Sequence, residues 1–206
     1  MIEGYEIKDK SVKYANLKTN NNYELGLKVL YDMCNKYPLH NDKGDIISKL
    51  WLIGRSHSAA LERNKSKEID IYEKVADKMY NKRADIDNTI IKLKKSNNIQ
   101  DNINEILRTH KFLMNIIREV TQDYKHSLTS KYLHFHCPQM FFIYDSRVVS
   151  NIKKLVRKIN NYEPQFNCDY DSNYADFCLR ALKLCEHIDI NLTPRKLDNW
   201  LYNYKK

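Results

Sequence analysis

Apolar residues recur along most of this chain every three or four positions, the spacing of helices with one buried face. A first helix is predicted over about Tyr23 to Lys36, with Leu27, Leu30, Tyr31 and Cys34 on one side and Pro38 ending it. A second is predicted from about Asp45 to Asn64, with Ile46, Ile47, Leu50, Trp51, Ile53 and Leu61 as its apolar positions. Small residues at its centre, Gly54 to Ala60, allow another backbone to approach closely. A third segment, about Ile69 to Arg83, carries Ile69, Tyr72, Val75, Ala76 and Met79, and Ile86, Ile90 and Leu93 continue its pattern. A long helix follows from about Ile103 to Tyr124, with Ile106, Leu107, His110, Leu113, Met114, Ile117 and Val120 facing inward.

Beyond it, Ser146 to Asn160 reads as a helix whose buried stripe is Val148, Val149, Ile152, Leu155, Val156 and Ile159. Asp145 stands at its N-cap, where a carboxylate suits the free N–H groups of the first turn. Another helix is predicted from about Tyr174 to Ile188, and Thr193-Pro194 opens the last, with Thr193 as cap and Pro194 in the first turn. Residues 1–20 are polar and expected to be irregular, and 160–173 to be a loop. With only 4 Gly and 4 Pro, turns are too scarce for a sheet-rich domain. The expected class is all-α, a compact multi-helix bundle. Its 206 residues suit a single domain, 1–206, or one domain in two lobes, about 1–98 and 99–206, with a cleft between them.

Charge adds a partner class. A net charge of +9 favours polyanions, of which nucleic acid is the commonest. The excess is mostly lysine, 26 Lys against 9 Arg beside 22 Asn, a bias that AT-rich codons also produce. Five cysteines, Cys34, Cys137, Cys168, Cys178 and Cys185, form no CxxC pair and read as reduced thiols. The first residues show no basic stretch leading into an apolar one, and no apolar run reaches a membrane span, so the expectation is a soluble, cytoplasmic protein without a signal peptide.

The densest candidate chemistry lies in Ser130 to Val148. Lys131 sits on a helix-like run beside Tyr132, Leu133 and Phe135, and Asp145 follows the apolar segment Met140-Phe141-Phe142-Ile143. An amine must shed a proton before it attacks carbon, and apolar surroundings favour its neutral form. A lysine and a carboxylate in that setting suit the excision of a base from DNA. The stretch resembles the part of the helix-hairpin-helix DNA glycosylases, especially the 8-oxoguanine glycosylase-like branch, that carries the catalytic lysine and aspartate. The resemblance covers roughly a tenth of the chain and implies a reduced helix-hairpin-helix glycosylase fold, with Lys131 as nucleophile and Asp145 stabilising charge on the sugar or activating the nucleophile. Two departures stand out. The glycine-containing hairpin that grips a phosphate in that family is replaced by Tyr124 to Ser130, and the gap from Lys131 to Asp145 is shorter than in its better-known members. Ser127, Thr129, Ser130 or a helix N-terminus are the available substitutes for that grip.

Around this pair the candidate substrate or DNA contacts are Arg55, His57, Ser130, His134, His136, Tyr144 and Arg147. Arg55 and His57 interrupt an apolar helix, which is costly unless they pair internally or line a cleft. His134 and His136, two apart on a helix, point to different faces and do not converge on an ion, so no metal is expected, and no cofactor. Tyr132, Tyr144, Tyr162, Tyr170 and Tyr174 surround the candidate site and the loop after it, and aromatic rings can hold an extruded base.

Three functions follow in order. The first is a DNA glycosylase, or glycosylase with abasic-site lyase activity, that flips and excises a damaged or modified base in repair or in defence against modified foreign DNA. The second is a helical nucleic-acid-binding module without chemistry, in which Lys131 and Asp145 form an ordinary ion pair. The third is a HEPN-like ribonuclease, because Arg180 and His187 match the Arg-x4–6-His spacing of that family and share a helix face.

Overall fold

In the computed structural model, which describes residues 2–15, 21–62, 71–159, 162–188 and 192–204, the chain is an all-α, compact multi-helix bundle. Its helices are α1 (Asn21–Lys36), α2 (Lys43–Ser56), α3 (Ile71–Asn81), α4 (Arg83–Lys94), α5 (Ile103–Thr121), α6 (His126–His136), α7 (Ser146–Leu155), α8 (Ser172–Ile188) and α9 (Pro194–Asn203). Two three-residue strands, β1 (Tyr5–Ile7) and β2 (Val156–Lys158), pair antiparallel with Tyr5 opposite Lys158. Among the described residues no helix is long and apolar enough to cross a membrane.

The centre of the bundle is α6. Every residue from Leu128 to His136 is buried. A helix covered on all sides has no polar face, which is why its sequence shows no clean amphipathic stripe. It packs against α1, α2 and α5. The amphipathic α5 buries Ile106, Leu107, His110, Leu113, Met114 and Ile117, and Gln122, in left-handed conformation at φ 55°, ends it. Beyond the buried run 140–143, α7 packs on α8 and α9.

Three expected elements are corrected. The first residues are not all irregular, because β1 lies against β2 and Tyr5 is buried. The helix expected to reach Asn160 stops at Leu155, where the chain extends to meet β1; Val156 is buried as expected, but Ile159 is 47% exposed. The helix expected to reach Asn64 ends at Ser56, and Ser58 takes a left-handed φ of 52°. The returning chain crosses Gly54 so closely that a Cβ there would lie 3.1 Å from the Ala60 Cα. The small residues thus admit a backbone, as expected, but at the end of the helix rather than its centre. Trp51, expected among the apolar positions, is 49% exposed. The expected termini Asn64, Ile69 and Asn160 lie outside the described residues. The caps at Asp145 and Thr193 form as the sequence indicates, accepting from Arg147 N and Lys196 N.

Polar groups enter this core only with partners or at a cost. His40 Nδ1 meets Asp87 Oδ1 at 2.6 Å, and its Nε2 meets the Tyr132 hydroxyl at 2.9 Å. Since an ionised carboxylate only accepts, Nδ1 carries the proton and Tyr132 donates to Nε2. His134 is held by the Phe141 carbonyl and the Tyr31 hydroxyl. His136 stacks on His40, and neither of its ring nitrogens has a hydrogen-bond partner.

Burial lowers the pKa of these histidines: His134 is pushed down to about 4, His110 to about 3, and His40 and His136 also fall. An unfolded imidazole titrates near 6.5, so below that pH the unfolded chain binds more protons than the folded one. Stability is therefore expected to be intact above about pH 6.5 and to fall through pH 4, each such histidine contributing up to about 1.4 kcal/mol per pH unit. Urea-unfolding midpoints from pH 4 to 8 check this, and a flat profile below pH 6.5 would contradict it.

Candidate active site

Lys131, on α6, meets its hydrogen-bond partners almost without reaching bulk water. Its side chain is 4% exposed. Its Nζ donates to Asp145 Oδ2 at 3.2 Å, Ser127 Oγ at 2.9 Å and the His57 carbonyl at 3.1 Å. Three acceptors match the three protons of an ammonium. Each acceptor has a local cause. Ser127 lies one turn earlier on α6. His57 is the residue at which α2 ends, and the left-handed Ser58 follows it immediately. Asp145 is held at the end of the buried run 140–143, where Oδ1 accepts from Arg147 N at 3.0 Å and Oδ2 is left to Lys131. The lysine and the aspartate singled out in the sequence are therefore in direct contact.

Asp145, Ser127, His57 and Tyr144 line an open cavity of about 360 Å³ between the end of α2, the turn into α6 and the start of α7. The Lys131 amine sits just behind this wall, screened by its three acceptors. The His57 imidazole is pushed down to about 4, first by burial and then by the positive charge of Lys131, so it presents a neutral ring at ordinary pH. On α9, Asp198 bonds Arg195 at 2.6 Å. Burial raises its carboxyl to about 6 against the pull of Arg195 and Lys131.

Of the other expected contacts, only His57 and Tyr144 reach this cavity. Arg55 is exposed and paired with Glu62, the internal ion pair that a disrupted helix end allows. Ser130 is fully buried, donating to the Ser127 carbonyl and accepting from Tyr144 N; it fixes the chain before Asp145 and cannot touch a ligand. His134 and His136 are likewise fully buried, because α6 has no solvent face. Arg147 is exposed, with its guanidinium 4.6 Å from the centre of the Tyr202 ring. Thr129 is buried and Ser127 is engaged by Lys131, which leaves little of the expected phosphate grip. Among the tyrosines, Tyr132 and Tyr174 are core residues, the latter donating to the Phe142 carbonyl. Arg180 is drawn away by Asp176, the Val156 carbonyl and the Tyr5 ring, where it ties α8 to the two strands.

Sequence reasoning passed over His126, Asp171 and Tyr124. His126 Nε2 meets Asp171 Oδ1 at 3.0 Å, and the same oxygen accepts from Tyr174 N at 2.8 Å. Burial alone would raise the Asp171 carboxyl, but the His126 hydrogen bond and the Tyr174 N–H outweigh it and hold the group below the usual carboxylate range. The His126 ring stacks with Tyr124, 5.9 Å away at 26°, and with Tyr144, 5.2 Å away at 29°. One signal was present: Asp171-Ser172 opens α8 as Asp145-Ser146 opens α7.

Comparison of the chain with family models, with curated proteins and with solved structures found no match.

Asp145 both caps α7 and balances Lys131, and two substitutions separate these roles. Asp145→Ala is expected to lower stability by about 2–3 kcal/mol, since it removes the cap and leaves a buried ammonium without its counter-charge. Asp145→Asn, which caps equally well, should recover about 1 kcal/mol of that loss. Urea unfolding of both variants measures the difference, and equal losses would leave no contribution from the cap.

Proposed function

We propose that the chain is a DNA glycosylase, or glycosylase with abasic-site lyase activity, that works on an extruded base. The observation that carries this reading is the contact of a buried lysine with a cap aspartate at the wall of an open cavity. Asp145 is the carboxylate within reach of the Lys131 ammonium, and transfer of one proton to it would free the lone pair on Nζ. The amine then bonds to C1′ of the sugar while the C1′–N bond to the base breaks. The electron pair leaves with the base, which takes up a proton. In the alternative without a covalent bond to Lys131, a water attacks and the Asp145 carboxylate faces the positive charge that develops on the sugar. The net charge of +9 supports a polyanionic partner, and DNA is the one this chemistry requires.

One observation favours the second reading, a binding module without chemistry. The Lys131 amine already has three acceptors and stands behind the cavity wall, as a structural ion pair would.

Borohydride trapping separates the two. Wild-type protein mixed with abasic-site duplex and borohydride is expected to give a covalent adduct on a denaturing gel. Lys131→Ala should abolish it and Asp145→Asn should reduce it by on the order of a hundredfold, the scale of positioned acid–base catalysis. No adduct and no base release across a panel of damaged and modified duplexes would reject the glycosylase in favour of the binding module.

A further inference from the structure

Beside the cavity at Asp145 lies a second and larger one, of about 490 Å³, and the two share Tyr124 and His126 as walls. The larger cavity is bounded further by Tyr170, Asp171 and Lys111. Its volume lies in the range of small-molecule sites. Its walls are built rather than incidental. Tyr170 is braced by an edge-on contact with Phe166 at 4.9 Å and by a hydrogen bond to the Pro164 carbonyl. The Arg118 guanidinium lies over the Tyr124 ring at 4.1 Å. Tyr124, His126 and Tyr144 form a ladder of rings, each inclined by 26° or 29° to the next, and the first two wall both cavities. Asp171 is oriented by two hydrogen bonds, and both fall on Oδ1, so Oδ2 is the acceptor it can offer a ligand. Flat rings and an oriented acceptor next to a candidate sugar-reacting pair are what an extruded base would require.

We propose that this larger cavity receives the extruded base against the ring ladder, and that Asp171 reads it by accepting a hydrogen bond from an N–H on its edge. The ligand class is a purine or pyrimidine with an amino or ring N–H at that edge. A base with acceptors only would set a lone pair against the carboxylate. His126 is a positioning residue that aims Asp171, and Lys111 is placed to meet a carbonyl or phosphate oxygen at the mouth. The inference rests on the base-extruding part of the proposed function and deepens it.

The test is a binding measurement that needs no turnover. Three duplexes are compared by anisotropy: one carries a single 2-aminopurine, one an unsubstituted purine, and one a tetrahydrofuran abasic site. The aminopurine has an exocyclic N–H₂ and the purine has no N–H at all. Wild-type protein should unstack the aminopurine, seen as a change in its fluorescence, and should bind that duplex on the order of tenfold more tightly than the purine duplex. Asp171→Asn keeps a good cap for α8 but turns a donor toward the ligand, so the preference should vanish or reverse. Tyr170→Ala should weaken binding of both base-bearing duplexes and leave the abasic one unchanged. Equal binding of all three by the wild type, or a preference that survives Asp171→Asn, overturns the proposal. A borohydride adduct without base discrimination rejects this pocket and keeps the glycosylase. Discrimination with neither an adduct nor base release keeps the pocket and rejects the glycosylase.

Discussion

A helix enclosed on every side leaves its polar side chains dependent on partners within the protein, since each unpaired one costs on the order of 1–3 kcal/mol. That requirement on α6 organises the surrounding bundle. Ser130 holds the chain just before Asp145 through Tyr144 N. Lys131 gathers the end of α2 and the start of α7 around one amine. Tyr132 reaches α4 through His40 and Asp87. His134 binds α1 through Tyr31 and the approach to α7 through Phe141. On the same helix, Thr129 and His136 find no hydrogen-bond partner among the described residues, whereas these four bonding sets each specify one relative placement of two or three elements.

The candidate site is a by-product of that arrangement. A lysine introduced to a core for structural reasons would need an acceptor set as complete as the one around Lys131, and a reacting lysine would need a route to substrate. Here the acceptors are themselves the wall of the cavity, so the ion pair and the opening share one surface. The His57 ring, pushed down to about 4, adds no charge beside the amine at ordinary pH.

The helical character and the caps at Asp145 and Thr193 were legible because each has a local signature: periodicity, and an Asp or Thr just before the first turn. Lys131 and Asp145 were singled out by the family resemblance, and their contact is made by the fold rather than by either local stretch. His134 and His136 were misplaced because position along a helix does not reveal whether all its faces are covered. Arg55 was misplaced because α2 ends two residues before Ser58, at a left-handed turn without glycine to mark it. The His126–Asp171 pair is joined across 45 residues, and nothing in either local stretch names the other. The strand pairing was invisible for the same reason at greater separation, since three residues are too few for an alternation to show.

That pairing has a consequence for the order in which the molecule is made. Tyr5 and Glu6 find their partners only at Lys158 and Arg157, and Tyr5 also bonds Asp176 on α8. During synthesis β1 must wait until β2 has left the ribosome, while α1 to α6 can already be assembling. Closing so long a loop is slow relative to helix formation, so β1 is seated after helices that are translated later than it.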